Sequence, residues 1–203
     1  MFSIPENLPL EIAPLAWMLG PWKGWGMLSV DEGDDQPIYE EAEGTICGKQ
    51  MKLVTRIYSA TASESIDPIW DAARGIAALE IGELMREETM YVSLLPGSGV
   101  LPEPGQYETR EMVAQGAQSD GYSARWVGRS MGPRIQMETD LLIRDPEAAE
   151  FERFSRMYGL VAGEMLWANE RQGNDHESHV ELSGRLMRVD AVDEDETEQK
   201  DGE

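Results

Sequence analysis

The feature that most constrains the fold is the heptapeptide GPWKGWG at residues 20–26. Side chains alternate between the two faces of a strand, so Trp22, Gly24 and Gly26 are expected on one face and Trp25 on the other. Glycine weakens the interior of a strand unless another backbone or a ligand comes close or the strand bends sharply. A large ring beside two positions without side chains therefore predicts the closed end of a small β-barrel.

Three further segments alternate apolar and polar residues, which predicts antiparallel strands with one buried face. These segments are 51–58, 90–94 and 135–143, and in each the apolar set begins at the first residue. Segments rich in Gly, Pro, Asp, Ser or Gln separate the strands, at 31–37, 96–105, 115–121 and 128–133. Many short strands with turns between them predict an all-β sandwich or a closed barrel.

Three short helices are predicted, each with a proline in its first turn. The first contains Pro14 and ends at Gly20, the second runs from Asp67-Pro68 to Gly75, and the third covers 147–154 after Asp145-Pro146. In the last two, the aspartate before the proline is a suitable N-cap.

The composition excludes several classes of function. The chain has 203 residues and a net charge of −22, which argues against nucleic acid or an anionic membrane as partner. No apolar run is long enough to span a membrane and the first residues do not resemble a signal peptide, so we expect a cytoplasmic protein. The single cysteine, Cys47, excludes an internal disulfide and a cysteine-rich zinc site, and we expect it to be buried or half-buried.

Two regions are predicted along the chain. Residues 1–189 form one barrel domain, and the acidic segment 190–203 forms a disordered tail, because its like charges repel each other and it has almost nothing to bury. No pattern in the sequence indicates an oligomeric state.

The heptapeptide also fits the GxWxGxG signature of the nitrobindin family through Gly20, Trp22, Gly24 and Gly26. Other stretches resemble that family in order and spacing: 13–19, Tyr39-Glu40-Glu41 with 48–51, 80–86, and 182–188. The resemblance covers about residues 13–189. It implies an antiparallel closed barrel of about ten strands with short helices, similar to lipocalins and fatty-acid-binding proteins.

Nitrobindins hold a ferric heme b in the barrel mouth through one axial histidine just before the last strand, and such sites are associated with isomerising peroxynitrite to nitrate. Counting back along the last strand from Arg188, the ligand position falls on Glu181. Glutamate is a hard, anionic oxygen ligand and a poor substitute for imidazole on heme iron. The family's "YPT" element has no counterpart at 30–33, and the histidine expected two residues before Glu80 is Ala78. The resemblance therefore implies a barrel without bound heme.

The only two histidines, His176 and His179, leave an alternative open. His179 lies on the same face as Glu181 in a regular strand, so a two-residue slip in register or a bulge would bring it to the position where it can bind an iron. The other interpretation is a pair of solvated histidines in a hairpin loop. A zinc site from both histidines and a carboxylate has no further His or Cys to complete it. If the family's orientation holds, Glu181 and Arg185 point into the pocket and pair there.

Three functional hypotheses follow. The first is a barrel with no bound cofactor and no catalytic residues that binds a small hydrophobic or amphipathic molecule or acts as a scaffold. The second is a heme b protein that isomerises peroxynitrite with His179 as axial ligand. The third is an interaction module in which the barrel is solid and the tail at 190–203 binds a basic partner.

Overall fold

The computed structural model describes residues 5, 7–30, 34–100, 103, 105–173 and 179–189. Ten antiparallel strands close into one barrel, each paired with its neighbours along the chain and the first paired with the last. The predicted closed antiparallel barrel is confirmed. The strands are β1 (Gly20–Leu28), β2 (Gln36–Cys47), β3 (Gln50–Ala62), β4 (Leu79–Leu94), β5 (Thr109–Gln118), β6 (Tyr122–Met131), β7 (Arg134–Arg144), β8 (Arg153–Val161), β9 (Glu164–Gln172) and β10 (His179–Arg188). The tail predicted at 190–203 lies outside the described residues.

One end of the barrel is closed by a 3₁₀ helix, Ala13–Met18, which has a proline in its first turn as predicted. The indole N–H of Trp22 donates to the carbonyl of Met18 at 3.2 Å, and Arg188 donates to the carbonyl of Trp17 at 2.8 Å. We call the opposite end, where β10 begins, the mouth. The interior of the barrel between the two ends is called the lumen.

The seam between β1 and β10 explains the glycines of the heptapeptide. Trp22 points into the lumen, whereas Trp25 lies outside the barrel in a separate apolar cluster with Trp70. A Cβ added to Gly24 would overlap the backbone carbonyl of Arg185 and lie 2.7 Å from the Cα of Leu186. The two strands therefore approach too closely here for a side chain.

A short helix, α1 (Ala72–Ala77), packs on the outer face of β1. The Trp25 indole N–H donates to the carbonyl of Asp71 at 3.1 Å, and the backbone N–H of Ala72 donates to the Glu164 carboxylate at 2.6 Å. The predicted start of this helix at Asp67-Pro68 is wrong. Asp67 instead caps a turn, and Asp71 is the N-cap of α1, accepting from the backbone N–H of Arg74. None of the described helices is long and apolar enough to span a membrane.

The helix predicted over 147–154 is also wrong. Only one turn forms there, with the backbone N–H of Ala148 donating to the carbonyl of Asp145 at 3.0 Å. Phe154 is a buried residue of β8 instead, packed edge-on against the Tyr122 ring. The burial of this ring on a strand outweighs the local helix signal.

The predicted alternation is correct for 51–57 and 90–94, whose apolar residues face the lumen. In β7 it holds only as far as Thr139, because Leu141 and Ile143 are 54% and 58% exposed. Trp126 pairs with Thr139 and Arg125 with Leu141, so Asp140 is an extra residue that reverses the faces of the strand beyond it.

Cys47, at the end of β2, is exposed rather than buried.

Candidate functional site

The lumen contains charged side chains that cross it, in addition to the apolar core. We call this set the lumen network. It comprises Arg86 and Glu88 of β4, Gln118 of β5, Asp120 of the following turn, Arg156 of β8, Arg171 of β9 and Glu181 of β10.

The deepest ion pair joins opposite walls of the barrel. Arg156 donates to one oxygen of Glu88, and Gln118 donates to the other at 3.1 Å. The two charged side chains are only 5% and 4% exposed. Burial alone would lower the pKa of the Arg156 guanidinium, but the Glu88 carboxylate and the Tyr158 hydroxyl outweigh it and raise that pKa. The guanidinium also lies 4.4 Å from the centre of the Trp126 ring, and it therefore stays charged inside the lumen.

Four side chains of alternating charge close the mouth. Glu181 binds Arg86 at 2.9 Å through one oxygen and Arg171 at 3.0 Å through the other. Asp120 binds the same two guanidinium groups at 2.9 and 2.7 Å. Burial works against the charge of Arg86, but Glu181 and Asp120 outweigh it and raise the pKa of the guanidinium. Each arginine is thus held by two carboxylates from different elements.

Aromatic rings surround the Arg171 guanidinium at the same place. The ring centres of Tyr122, Phe151 and Phe154 lie 5.2, 5.2 and 4.7 Å from its central carbon. The Tyr122 hydroxyl donates to the carbonyl of Ala149 at 2.6 Å, which fixes the turn that carries Phe151. The mouth is therefore filled by stacked rings and paired charges.

The structure places Glu181 at the mouth, but it does not form the predicted pair with Arg185. The pairing of β10 with β9 shifts between Val180 and Leu182, so Glu181 is a bulge residue and turns towards the lumen. Arg185 lies on the outer face, where it contacts Glu164 at 3.5 Å and the carbonyl of Pro68 at 3.1 Å. The bulge reverses the face that strict alternation assigns to Glu181.

The structure describes one of the two histidines, His179, and no contact between described residues brings it into the lumen. His179 is the first residue of β10, is exposed, and stands opposite Arg171 in the strand register. His176 lies outside the described residues. Among the residues that the structure describes, no three His, Cys, Asp or Glu side chains are placed to hold a metal ion.

Sequence reasoning missed most of the lumen network, although a signal for it exists. Alternation puts Arg156 on the same face of its strand as the apolar Phe154 and Tyr158, and it puts Glu88 on the same face as Met90. A charged residue on the apolar face of a strand predicts a buried charge that needs a partner. The identity of the partner depends on which strands face each other across the lumen, and alternation does not give that.

Two apolar clefts lie outside the lumen. The first, which we call the wall cleft, has a volume of ≈ 610 Å³ and lies beside the segment leading to α1. Its lining includes Trp25, Met27, Pro68, Val161, Leu166 and Ala168. The second, of ≈ 760 Å³, lies at the closed end against Trp17 and Tyr107.

Comparison with known proteins places the chain in a family. The family described as "THAP4-like, heme-binding beta-barrel domain" matches residues 11–188. A ferric nitrobindin-like protein of Beutenbergia cavernae is 32% identical, with 93% of this chain and 99% of that protein covered. A peroxynitrite isomerase of Leifsonia xyli subsp. xyli is 31% identical, with coverages of 94% and 100%. The crystal structure of Rv2717c from M. tuberculosis has the same fold, with a TM-score of 0.64, 19% identity, and coverages of 91% and 100%. The chain therefore belongs to the family of THAP4-like, heme-binding β-barrel domains, which is the nitrobindin family that its sequence resembles.

Proposed function

We propose that this chain is a member of the family that does not bind heme and has no catalytic activity, and that it binds a small hydrophobic or amphipathic molecule on the outside of the barrel. The observation that carries the proposal is the lumen network, in which Glu181 is held by two arginines. Its paired charges occupy the place where the family resemblance puts the heme.

The residue at the axial position does not fit heme iron. Heme proteins of this kind need an imidazole nitrogen with a free lone pair, whereas Glu181 offers a hard carboxylate. Both oxygens of that carboxylate are already engaged, one by Arg86 and one by Arg171. An iron would have to compete with two guanidinium groups for a ligand of the wrong type.

The space and polarity of the lumen do not fit a porphyrin either. A large planar ring requires an apolar slot, but Arg156 and Glu88 span the lumen and Arg171 is packed among three aromatic rings. Separating one partner from a buried ion pair costs about 3–5 kcal/mol. Inserting the ring would break more than one such pair.

No contact of His179 with another described side chain favours the alternative in which it binds heme and the protein isomerises peroxynitrite. His179 is exposed, and the residue opposite it in the register is Arg171, which is engaged with Asp120 and Glu181. Hemin titration of the wild type and of His179→Ala distinguishes this alternative directly.

The wall cleft is the better place for a ligand. Its volume of ≈ 610 Å³ is within the range of about 300–1,000 Å³ that is usual for small-molecule sites. Met27, Val161 and Leu166 give it an apolar lining, and Arg134 and Arg185 also line it. This arrangement suits a molecule with an apolar body and one polar or anionic end.

Titration with hemin, followed through the Soret band, tests the absence of a heme site. Apomyoglobin, which binds heme through a histidine, serves as the positive control. We expect no sharp stoichiometric band, and no acceleration of peroxynitrite decay by the protein in the presence of hemin. A sharp stoichiometric band would overturn the proposal. Its loss in His179→Ala would then identify His179 as the ligand, and its loss in Glu181→Gln would identify Glu181.

Binding of the fluorescent probe 1-anilinonaphthalene-8-sulfonate, an apolar ring system with one anionic group, tests the wall cleft. Leu166→Arg puts a long charged side chain at a position that lines the cleft, and Ser123→Arg adds the same side chain to an exposed position of β6 that does not line it. We expect saturable binding by the wild type and by Ser123→Arg, and at least tenfold weaker binding by Leu166→Arg. Equal binding by all three proteins, or none by the wild type, would refute the assignment.

A further inference from the structure

One buried acid in the lumen is outside the lumen network. Glu40 of β2 is 3% exposed, and its inward position is flanked by Gly24 of β1 and Ile57 of β3. Its Oε2 atom has no hydrogen-bond partner among the residues that the structure describes. A buried polar atom without a partner is rare and calls for an explanation.

The charged and titratable groups facing Glu40 come from two elements. Strand β4 contributes Glu88 and Arg86, and strand β8 contributes Arg156 and Tyr158. Its neighbours on β1 and β3 are uncharged.

Both nearby cations are already paired. Arg156 is bound to Glu88, and Arg86 is bound to Glu181 and Asp120. In the deep part of the lumen, two carboxyl groups, Glu40 and Glu88, therefore share one guanidinium, which contacts Glu88.

An ionised carboxylate that is buried without a partner is very costly, and such a group takes up a proton instead. Burial raises the pKa of the Glu40 carboxyl to about 8. Arg156 and Arg86 oppose that shift, and Glu88 adds to it. The geometry and the electrostatics thus agree that the neutral form fits this site.

We propose that Glu40 is a proton-binding site of the lumen, protonated in neutral solution. The folded barrel keeps this proton up to mildly alkaline solution, because ionisation would leave a second, uncompensated anion beside Glu88, whereas the unfolded chain gives the proton to water at a lower pH. The barrel therefore loses stability relative to the unfolded chain as the pH rises. The site makes the stability of the barrel pH-dependent, and it is independent of the wall cleft and of heme.

The sign of the effect follows from proton linkage. The unfolded chain ionises Glu40 at its ordinary pKa near 4.5, whereas the folded barrel keeps the proton up to about pH 8. The contribution of this carboxyl is fully stabilising below about pH 4.5 and is lost as the pH rises towards 8. Between these values the unfolding equilibrium constant should rise by up to tenfold per pH unit, which is one proton.

The test compares urea unfolding of the wild type, Glu40→Gln and Glu41→Gln from about pH 5 to about pH 9. Glutamine keeps the shape of the neutral acid but does not titrate. Glu41 is the adjacent residue on the outer face, where it accepts from the hydroxyl groups of Tyr39 and Tyr58. Between about pH 5 and 8, the slope of the unfolding free energy against pH should be smaller in Glu40→Gln than in the wild type, by close to one proton. The slope of Glu41→Gln should equal that of the wild type. Parallel curves for the wild type and Glu40→Gln would overturn the proposal.

A second measurement on the wild type holds even if Glu40→Gln does not fold. Infrared spectroscopy detects the C=O stretch of a protonated carboxylic acid, which exposed Asp and Glu side chains lose well below pH 7. We expect this band to persist at about pH 7 and to disappear around pH 8. Its absence at pH 7 would contradict the proposal.

Discussion

Replacing Arg156 by methionine removes the guanidinium that is bound to Glu88 among the described residues, while keeping a long apolar side chain in its place. Within the part of the chain that the structure describes, the Glu88 carboxylate would then keep only the amide of Gln118 as a side-chain partner. Removing one partner of a buried ion pair costs about 3–5 kcal/mol. Loss of the contact between Arg156 and the Trp126 ring adds about 1 kcal/mol.

Urea unfolding at pH 7, followed by tryptophan fluorescence, measures this loss. With a slope of about 2 kcal/mol/M, a loss of 4 kcal/mol lowers the midpoint by about 2 M. The double variant Arg156→Met with Glu88→Met removes both charges, and apolar replacement of a buried pair is often neutral or stabilising. We therefore expect the double variant to regain at least half of the loss. A loss below about 1 kcal/mol in the single variant, or additive losses in the double variant, would refute the claim that these groups depend on each other.

Three further predictions follow from the outer wall and the seam. Gly24→Ala should lower the free energy of unfolding by about 3 kcal/mol or more, because the added Cβ would overlap the backbone of β10. Gly159→Ala is the control, because its added Cβ meets nothing nearer than 3.9 Å, and it should change the free energy of unfolding by less than about 1 kcal/mol. Thermal unfolding of both variants and the wild type measures the two effects. Glu164→Ala should speed amide hydrogen exchange in α1, by an amount equivalent to about 1–2 kcal/mol, because it removes the acceptor for the N–H of Ala72. Exchange in the strands should not change. Equal exchange rates of α1 in the variant and the wild type would contradict this prediction. Cys47 should react with a thiol reagent in the folded protein as fast as in the unfolded chain, and slow reaction in the folded protein would contradict its exposure.

The sequence predicts the barrel because its strongest signals have a period of two and act locally. Trp22 and Trp25 are adjacent to the glycines, and the alternation of side chains alone assigns them to opposite faces. A neighbouring backbone at Gly24 is one of the reasons that the sequence offers for a glycine in a strand, together with a ligand or a sharp bend, and the structure shows that it is the backbone of β10.

The parts that sequence analysis missed depend on single extra residues and on distant strands. Asp140 and Glu181 are each an extra residue in a β-bulge. Each bulge changes which side chains of its strand point into the lumen and which point outwards. The exposure of Leu141 and the orientation of Glu181 towards the lumen result from this. The pairing of Glu88 with Arg156 depends on the closure of the whole barrel, because β4 and β8 are not neighbours in the sheet.

The seam between β1 and β10 also fixes the order in which this protein can assemble. The two strands come from opposite ends of the barrel domain, so the ring cannot close before almost the whole chain is present. Glu181 is delivered by the last strand, and until it arrives Arg86 and Arg171 lack one of their two carboxylate partners. Contacts of such long sequence separation form slowly, because the entropy of closing the loop is lost before they contribute. Closure of the ring and neutralisation of the charges at its mouth should therefore be one late and cooperative event.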